Sequence, residues 1–187
     1  MLLIVEGIDR VGKDTLIGHW HRYCESIGFD APITKHFVAP PVGLSHLDTV
    51  EWQRQEFLSA AREIQHLSPT QHVIWNRSHL GEWVYGYLYR LSYGNIGLNW
   101  LWDVDKQIVS VLKSRQIGLL LMLTDPEHAI ARDDSQSFSV NIDKKWIEIH
   151  RFIEAYQTTQ IESKSILWQP KNFMSIESEL AIVKSLF

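Results

Sequence analysis

Cysteine occurs once in the 187 residues, at Cys24, which excludes an internal disulfide and fits a reducing compartment. That thiol lies in an apolar helical pattern without any local signature of a nucleophilic cysteine, so it is expected in the core. Long apolar runs are lacking too. Nothing approaches the roughly 20 residues needed to cross a bilayer, and the opening "MLLIV" has neither the basic flank nor the length of a secretory signal. The expected location is the cytoplasm, with no membrane partner. Positive charge is also scarce: 18 Lys and Arg against 22 Asp and Glu leave a formal net charge of -4, so nucleic acid is not an expected partner. A local basic pocket for a small anion remains compatible with that balance. Nine histidines do not make a structural metal site, because His19 and His21 stand two apart on a helix and no H-E-x-x-H or C-x-x-C spacing occurs. Repeats, low-complexity tracts and linkers are absent.

What remains is an ordinary globular composition, 45% hydrophobic and 21% charged, long enough for one substantial core and one domain over residues 1–187. Short apolar runs predict buried strands at Leu2 to Gly7, Ile33 to Val38, His72 to Trp75, Ile117 to Leu123 and Ser165 to Trp168. Between them, apolar residues at helical spacing predict helices from Lys13 to a stop at Gly28 and at about Leu47 to Leu67, Trp100 to Arg115, Asp143 to Gln160 and Ile176 to Phe187. This alternation predicts an α/β fold: a five-stranded parallel sheet flanked by helices in three layers. The least regular stretch is "RDDSQSFSVN", polar and with little to bury, and it predicts a lid over residues 132–142.

The stretch "GIDRVGKDT" at residues 7 to 15 carries the chemistry. Gly7, Gly12 and Lys13 obey the phosphate-loop spacing G-x-x-x-x-G-K, with a strand before and a helix after, as such a loop requires. Glycines let successive backbone N–H groups converge on phosphate oxygens, the helix N-terminus adds positive potential, and the lysine bridges the outer phosphates. The position that normally offers a hydroxyl to magnesium holds Asp14, followed by Thr15.

The wider stretch "EGIDRVGKDT" resembles the phosphate loop of thymidylate kinases, usually "EGLDRAGKST", and agrees at Glu6, Gly7, Asp9, Arg10, Gly12, Lys13 and Thr15. "FLSAARE", "HVIWNRS" and "LTDPEHAIAR" are similar to further segments of that family. The resemblance implies a P-loop kinase fold and transfer of the γ-phosphoryl group of ATP, with Mg2+, to a deoxynucleoside monophosphate, in an enzyme that is commonly a homodimer. It also implies roles: Arg10 stabilises the transferring group, in keeping with a lid that carries no arginine or lysine between Arg132 and Lys144. Asp9 recognises the acceptor 3'-hydroxyl, Arg77 grips the acceptor phosphate and Arg62 meets the base.

Each role has an alternative. Arg62 shares its helix with Glu56 and Glu63 and suits surface pairing. The aromatics Trp75, Trp83, Tyr85, Tyr87, Tyr89 and Tyr93 suit base stacking or core packing. The family's "DRY" is replaced by Asn76, Arg77 and Ser78, which is similar to the "ERS" of deoxynucleoside kinases and leaves the acceptor open among a monophosphate, a nucleoside and a hydroxymethylated base in DNA. Asp14 and Asn76 together also admit a degenerate module that binds ATP without turnover. Alternatively, Asp14 replaces the carboxylate lost at Asn76 and holds Mg2+ with Thr15, or it only complements the dipole of the helix it begins.

Overall fold

Leu2–Gly7 is buried at all six positions and forms the central strand β1 in the computed structural model of the chain, which describes residues 1–90, 97–133, 135 and 137–187. Its neighbours are β3 (Val73–Asn76) and β4 (Ile117–Thr124), with β2 (Ile33–His36) and β5 (Ser163–Gln169) at the edges, giving the order β2-β3-β1-β4-β5. All four pairings are parallel. Parallel strands need long crossovers, and a sheet covered on both faces must be apolar on both, so β1, β3 and β4 read as unbroken hydrophobic runs. The edge strands bury less.

Strand alternation divides the core into two layers. Leu2, Ile4, Val73 and Trp75 face α2 (His46–His66) and α4 (Trp100–Val111). Leu3, Val5 and Ile74 face α1 (Lys13–Ser26) and α7 (Ile176–Lys184). Cys24 belongs to this second layer, 3.5 Å from His72 Nδ1, and burial pushes its thiol up to about 11. Past α1 the chain turns where expected, with Phe29 N–H donating to Cys24 O at 2.9 Å.

The predicted strands and five predicted helices are all present, with ends moved by a few residues; α4 stops at Val111 because the chain then tightens into turns. Two helices were not read from periodicity. α3 (His79–Tyr89) is apolar around most of its circumference, so "HLGEWVYGYLY" shows no polar stripe, and it packs against α4 and against α6 (Ile142–Thr158). Ser78 starts it by accepting from Leu80 N–H at 3.2 Å. α5 (Pro126–Ala131) is six residues long, too short for a period, and begins with proline, which suits a first helical position. No helix among the described residues is long and apolar enough to cross a membrane.

Candidate functional site

The turn from β1 into α1 is built for backbone exposure. At Gly7, φ is 141° and a Cβ would lie 1.9 Å from Met122 O; at Gly12, φ is 95° and a Cβ would lie 2.7 Å from Phe173 Cε1. At Gly7 the clash is with backbone and only glycine fits; at Gly12 the ring can shift and the positive φ is what favours glycine. Arg10 between them is also left-handed, φ 64°, a conformation that non-glycine residues hold only when their surroundings enforce it. Gly12 caps α1 without a side chain, so the first-turn N–H groups face outward as an anion site. Lys13, 7% exposed, folds back so that Nζ donates to Gly7 O at 2.9 Å and Ile8 O at 2.8 Å. Burial, aided by the Arg77 charge, pulls its ammonium down to about 8.

The carboxyl edge of the sheet brings the next groups alongside. β3 ends in Asn76, and Arg77 follows with φ 71°, its Nη2 donating to Asp9 Oδ1 at 2.6 Å and its guanidinium 5.4 Å from the Tyr85 ring centre. Burial raises the Asp9 carboxyl, but the Arg77 and Lys13 charges outweigh it and hold the group below its usual range. Beneath them Glu6, 1% exposed, accepts from Ser78 Oγ at 2.7 Å and Gly81 N–H at 3.0 Å, fixing the start of α3 to β1. Asn76 Nδ2 donates to Asp14 Oδ1 at 2.6 Å, while Asn76 Oδ1 is buried and has no hydrogen-bond partner among the described residues. Acid and amide, linked in the sequence reading though 62 positions apart, are one hydrogen-bonded couple.

Two cavities open on this edge. One, about 410 Å³, is lined by Asp9, Arg10, Gly12, Lys13, Asp14 and Thr15 of the loop, with Asn76, Arg132 and Phe173. The other, about 280 Å³, lies against Phe37, Trp52, Gln53, Glu56 and Phe57 on one side and Glu82, Tyr85, Arg90 and Phe138 on the other. His36 and Arg77 line both. The expected loop residues and Arg77 thus come together, with Gly7 beneath them.

Arg62 does not join them. It is exposed on α2 and lines neither cavity, because the wall of the second cavity comes from Trp52, Gln53, Glu56 and Phe57, and five residues beyond Phe57 turn a helix by about 140°. Of the described members of the aromatic cluster, only Tyr85 lines either of these cavities: Trp75 is core, Trp83 packs on Trp102 at 4.6 Å, and the exposed Tyr87 carries the Arg151 guanidinium at 3.9 Å. Tyr93 lies outside the described residues, as do 134 and 136 within the expected lid.

The remainder of that segment reaches both cavities. Phe138 stacks on Tyr89 at 5.1 Å and 9° and lies 5.3 Å from Tyr85, at the second cavity. Arg132 lies 4.2 Å above Phe173 and donates to Pro170 O and Lys171 O, at the first. Behind Tyr89, its hydroxyl donates to Glu148 Oε1 at 2.5 Å, and Glu148 in turn pairs with the equally buried Lys145 at 2.9 Å. His36, Gln53, Phe138, Phe173 and the Lys145–Glu148 pair were missed in the sequence; a buried glutamine on a helical apolar face was the one available signal.

Three oxygens at the loop cavity suit a hard cation: the Asp14 carboxylate, the Thr15 hydroxyl and the orphaned Asn76 Oδ1. No group of three or more His, Cys, Asp or Glu side chains gathers at one point among the described residues. Magnesium is commonly held by one or two carboxylates together with substrate phosphates, so this donor set fits it.

No family model matches the chain, and no curated protein matches it in sequence. Solved structures do resemble it along nearly its whole length. The YorR protein of Bacillus subtilis, solved in complex with phosphorylated GDP, has a TM-score of 0.67 at 15% identity over 98% of this chain and 94% of that one. Thymidylate kinase of Candida albicans gives 0.64 at 16% over 100% and 93%, and that of Ehrlichia chaffeensis 0.61 at 15% over 100% and 98%. At such identities the likeness is one of fold: a P-loop kinase sheet and its helices.

Proposed function

We propose that the chain is a nucleotide kinase that transfers the γ-phosphoryl group of ATP to a deoxynucleoside monophosphate. The observation that carries it is the meeting of two cavities at Arg77, one floored by a phosphate loop and one walled by aromatic, amide and charged side chains. Two ligands placed end to end across one guanidinium is the arrangement a phosphoryl transfer needs. The thymidylate kinases of like fold support the acceptor class.

In this reading the loop N–H groups at Gly7 to Lys13 cradle the donor phosphates, and Lys13 turns from its own carbonyls onto the outer ones. Arg10, held at positive φ toward the cavity, offsets charge on the transferring group. Arg77 holds the acceptor phosphate in line, and Asp9, beside it, takes the acceptor's 3'-hydroxyl. An acceptor phosphate oxygen then bonds to the γ-phosphorus as the bond to the β,γ-bridging oxygen breaks, and ADP leaves. Asp14, Thr15 and Asn76 would hold Mg2+, which supplies charge neutralisation on the donor phosphates. Segment 132–142 is the lid: through Arg132 and Phe138 it touches both cavities, and its closure limits loss of the phosphoryl group to water. A cytoplasmic location and a homodimer belong to the same reading.

The test is ATP consumption by the purified chain with Mg2+ over a panel of nucleosides, deoxynucleoside monophosphates and hydroxymethylated DNA. Monophosphates should raise turnover, and nucleosides and DNA should not. Turnover raised by nucleosides or by DNA alone reassigns the acceptor, and binding of ATP with no acceptor-dependent turnover leaves a binding module.

A further inference from the structure

Only two described residues line both cavities, Arg77 and His36, and the transferring group has to cross where they stand. We propose that His36 is a substrate-contacting residue of this junction, an imidazole that donates to the phosphate passing between donor and acceptor; this rests on the kinase reading above. His36 ends β2 and is paired in register with Asn76 of β3, so the two side chains share the α1 face of the sheet. Asn76 reaches Asp14 on that face, and the preceding pair of the register, Thr34 with Ile74, places Thr34 under His21 of α1 at 2.8 Å. His36 is therefore carried to the carboxyl edge beside the loop, while Lys35 and Phe37 turn to the other face with Glu56 and Phe57 of α2.

The charges around the junction explain why a further donor matters there. Arg77 is already paired with Asp9 at 2.6 Å, and Asp14 from α1 stands across the loop cavity. Arg10 and Lys13 face from the loop; from the walls of the second cavity face Glu56 and Glu82, the latter ion-paired with Arg90 beside it. Arg132 is engaged by the Phe173 ring and two carbonyls. Two phosphate chains thus meet at a point where the one shared guanidinium is half neutralised. An imidazole there supplies an N–H donor. The edge position, which leaves His36 exposed, lets it swing toward either ligand.

The experiment separates this contact from the kinase reading. In chain labelled with 13C at histidine, the signal absent from His36→Gln is that of His36. A non-hydrolysable ATP analogue, whose third phosphate reaches the junction, should move that signal well beyond any shift produced by ADP. In kinetics, His36→Ala should lower kcat about tenfold, the scale of one hydrogen bond to a charged group, and be rescued in part by His36→Arg. A His36 signal that responds to the analogue no more than to ADP overturns the proposal, whether or not any acceptor is turned over. An unchanged kcat in His36→Ala, where an acceptor is turned over, also overturns it. A response to the analogue with no turnover on any acceptor keeps the contact and removes the kinase.

Discussion

Replacing Asp14 by asparagine keeps the side chain's shape and removes its charge, so its consequences divide cleanly between metal binding and helix stability. Asp14 is the first-turn acid of α1 and accepts from Asn76 at 2.6 Å. The helix-dipole interaction is worth about 0.3–1 kcal/mol, reduced at an exposed position. The hydrogen bond loses its charge assistance and falls from about 1.5–3 to about 1 kcal/mol, again before solvent screening. Folding should therefore weaken by only about 1 kcal/mol, a drop in Tm of roughly 2–4 °C for a chain of this size. If the Asp14 carboxylate helps hold magnesium, the Mg2+ concentration for half-maximal turnover should rise on the order of tenfold or more, the scale seen when even an outer partner of a metal ligand is lost. The same rise should appear in Mn2+ binding to the ADP complex, followed by electron spin resonance without turnover. Combining Asp14→Asn with Asn76→Asp moves the carboxylate only across one hydrogen bond and should recover most of the affinity, a coupling expected of touching groups. A single variant with unchanged metal dependence, unchanged turnover and only the small loss in Tm would refute the metal role and leave the dipole.

Arg77→Ala should lower turnover by at least about a hundredfold, since the guanidinium shared by both cavities is lost; Arg77→Gly should lose as much activity yet fold about 1 kcal/mol more stably than the alanine variant, because φ of 71° suits glycine. The lowered pKa of Lys13 fixes a sign for pH. Below about 8 the ammonium is charged in both folded and unfolded chains and its burial cost is fully present; between about 8 and the usual 10.5 the folded chain releases the proton first, so this contribution to stability rises with pH. Denaturant melts of the ligand-free protein should show that rise, at most on the order of 3 kcal/mol, and Lys13→Met should flatten it while abolishing turnover. Phosphate restores the charged form, so calorimetry at pH 8 in two buffers of different ionisation enthalpy should report proton uptake when ADP binds. Arg62→Ala should leave the acceptor KM within about twofold, because its side chain turns away from both cavities; a tenfold rise would contradict the wall assigned to α2.

The sequence by itself determined the sheet, most of the helices and the glycine turn between β1 and α1, for local reasons. Continuous burial of β1, β3 and β4 leaves unbroken apolar runs, the half-buried faces of α2, α4 and α6 leave a helical period, Gly7 is required where a Cβ would strike Met122, and Gly12 is favoured by its positive φ. α3 escaped because a helix covered on nearly every side shows no period at all. Only the tertiary structure decided which loop and strand-end residues meet. The register of β2 on β3 sets His36 beside Asn76, and the crossover from β1 brings Asp14 within one hydrogen bond of it, although the two lie 62 positions apart. The rotation of α2 turned Arg62 outward and Gln53 inward, and which elements close a cavity over that inner face is set by packing. Cavities are spaces between elements, so their walls follow from packing geometry, whereas a glycine loop is specified by the backbone conformation of its own residues.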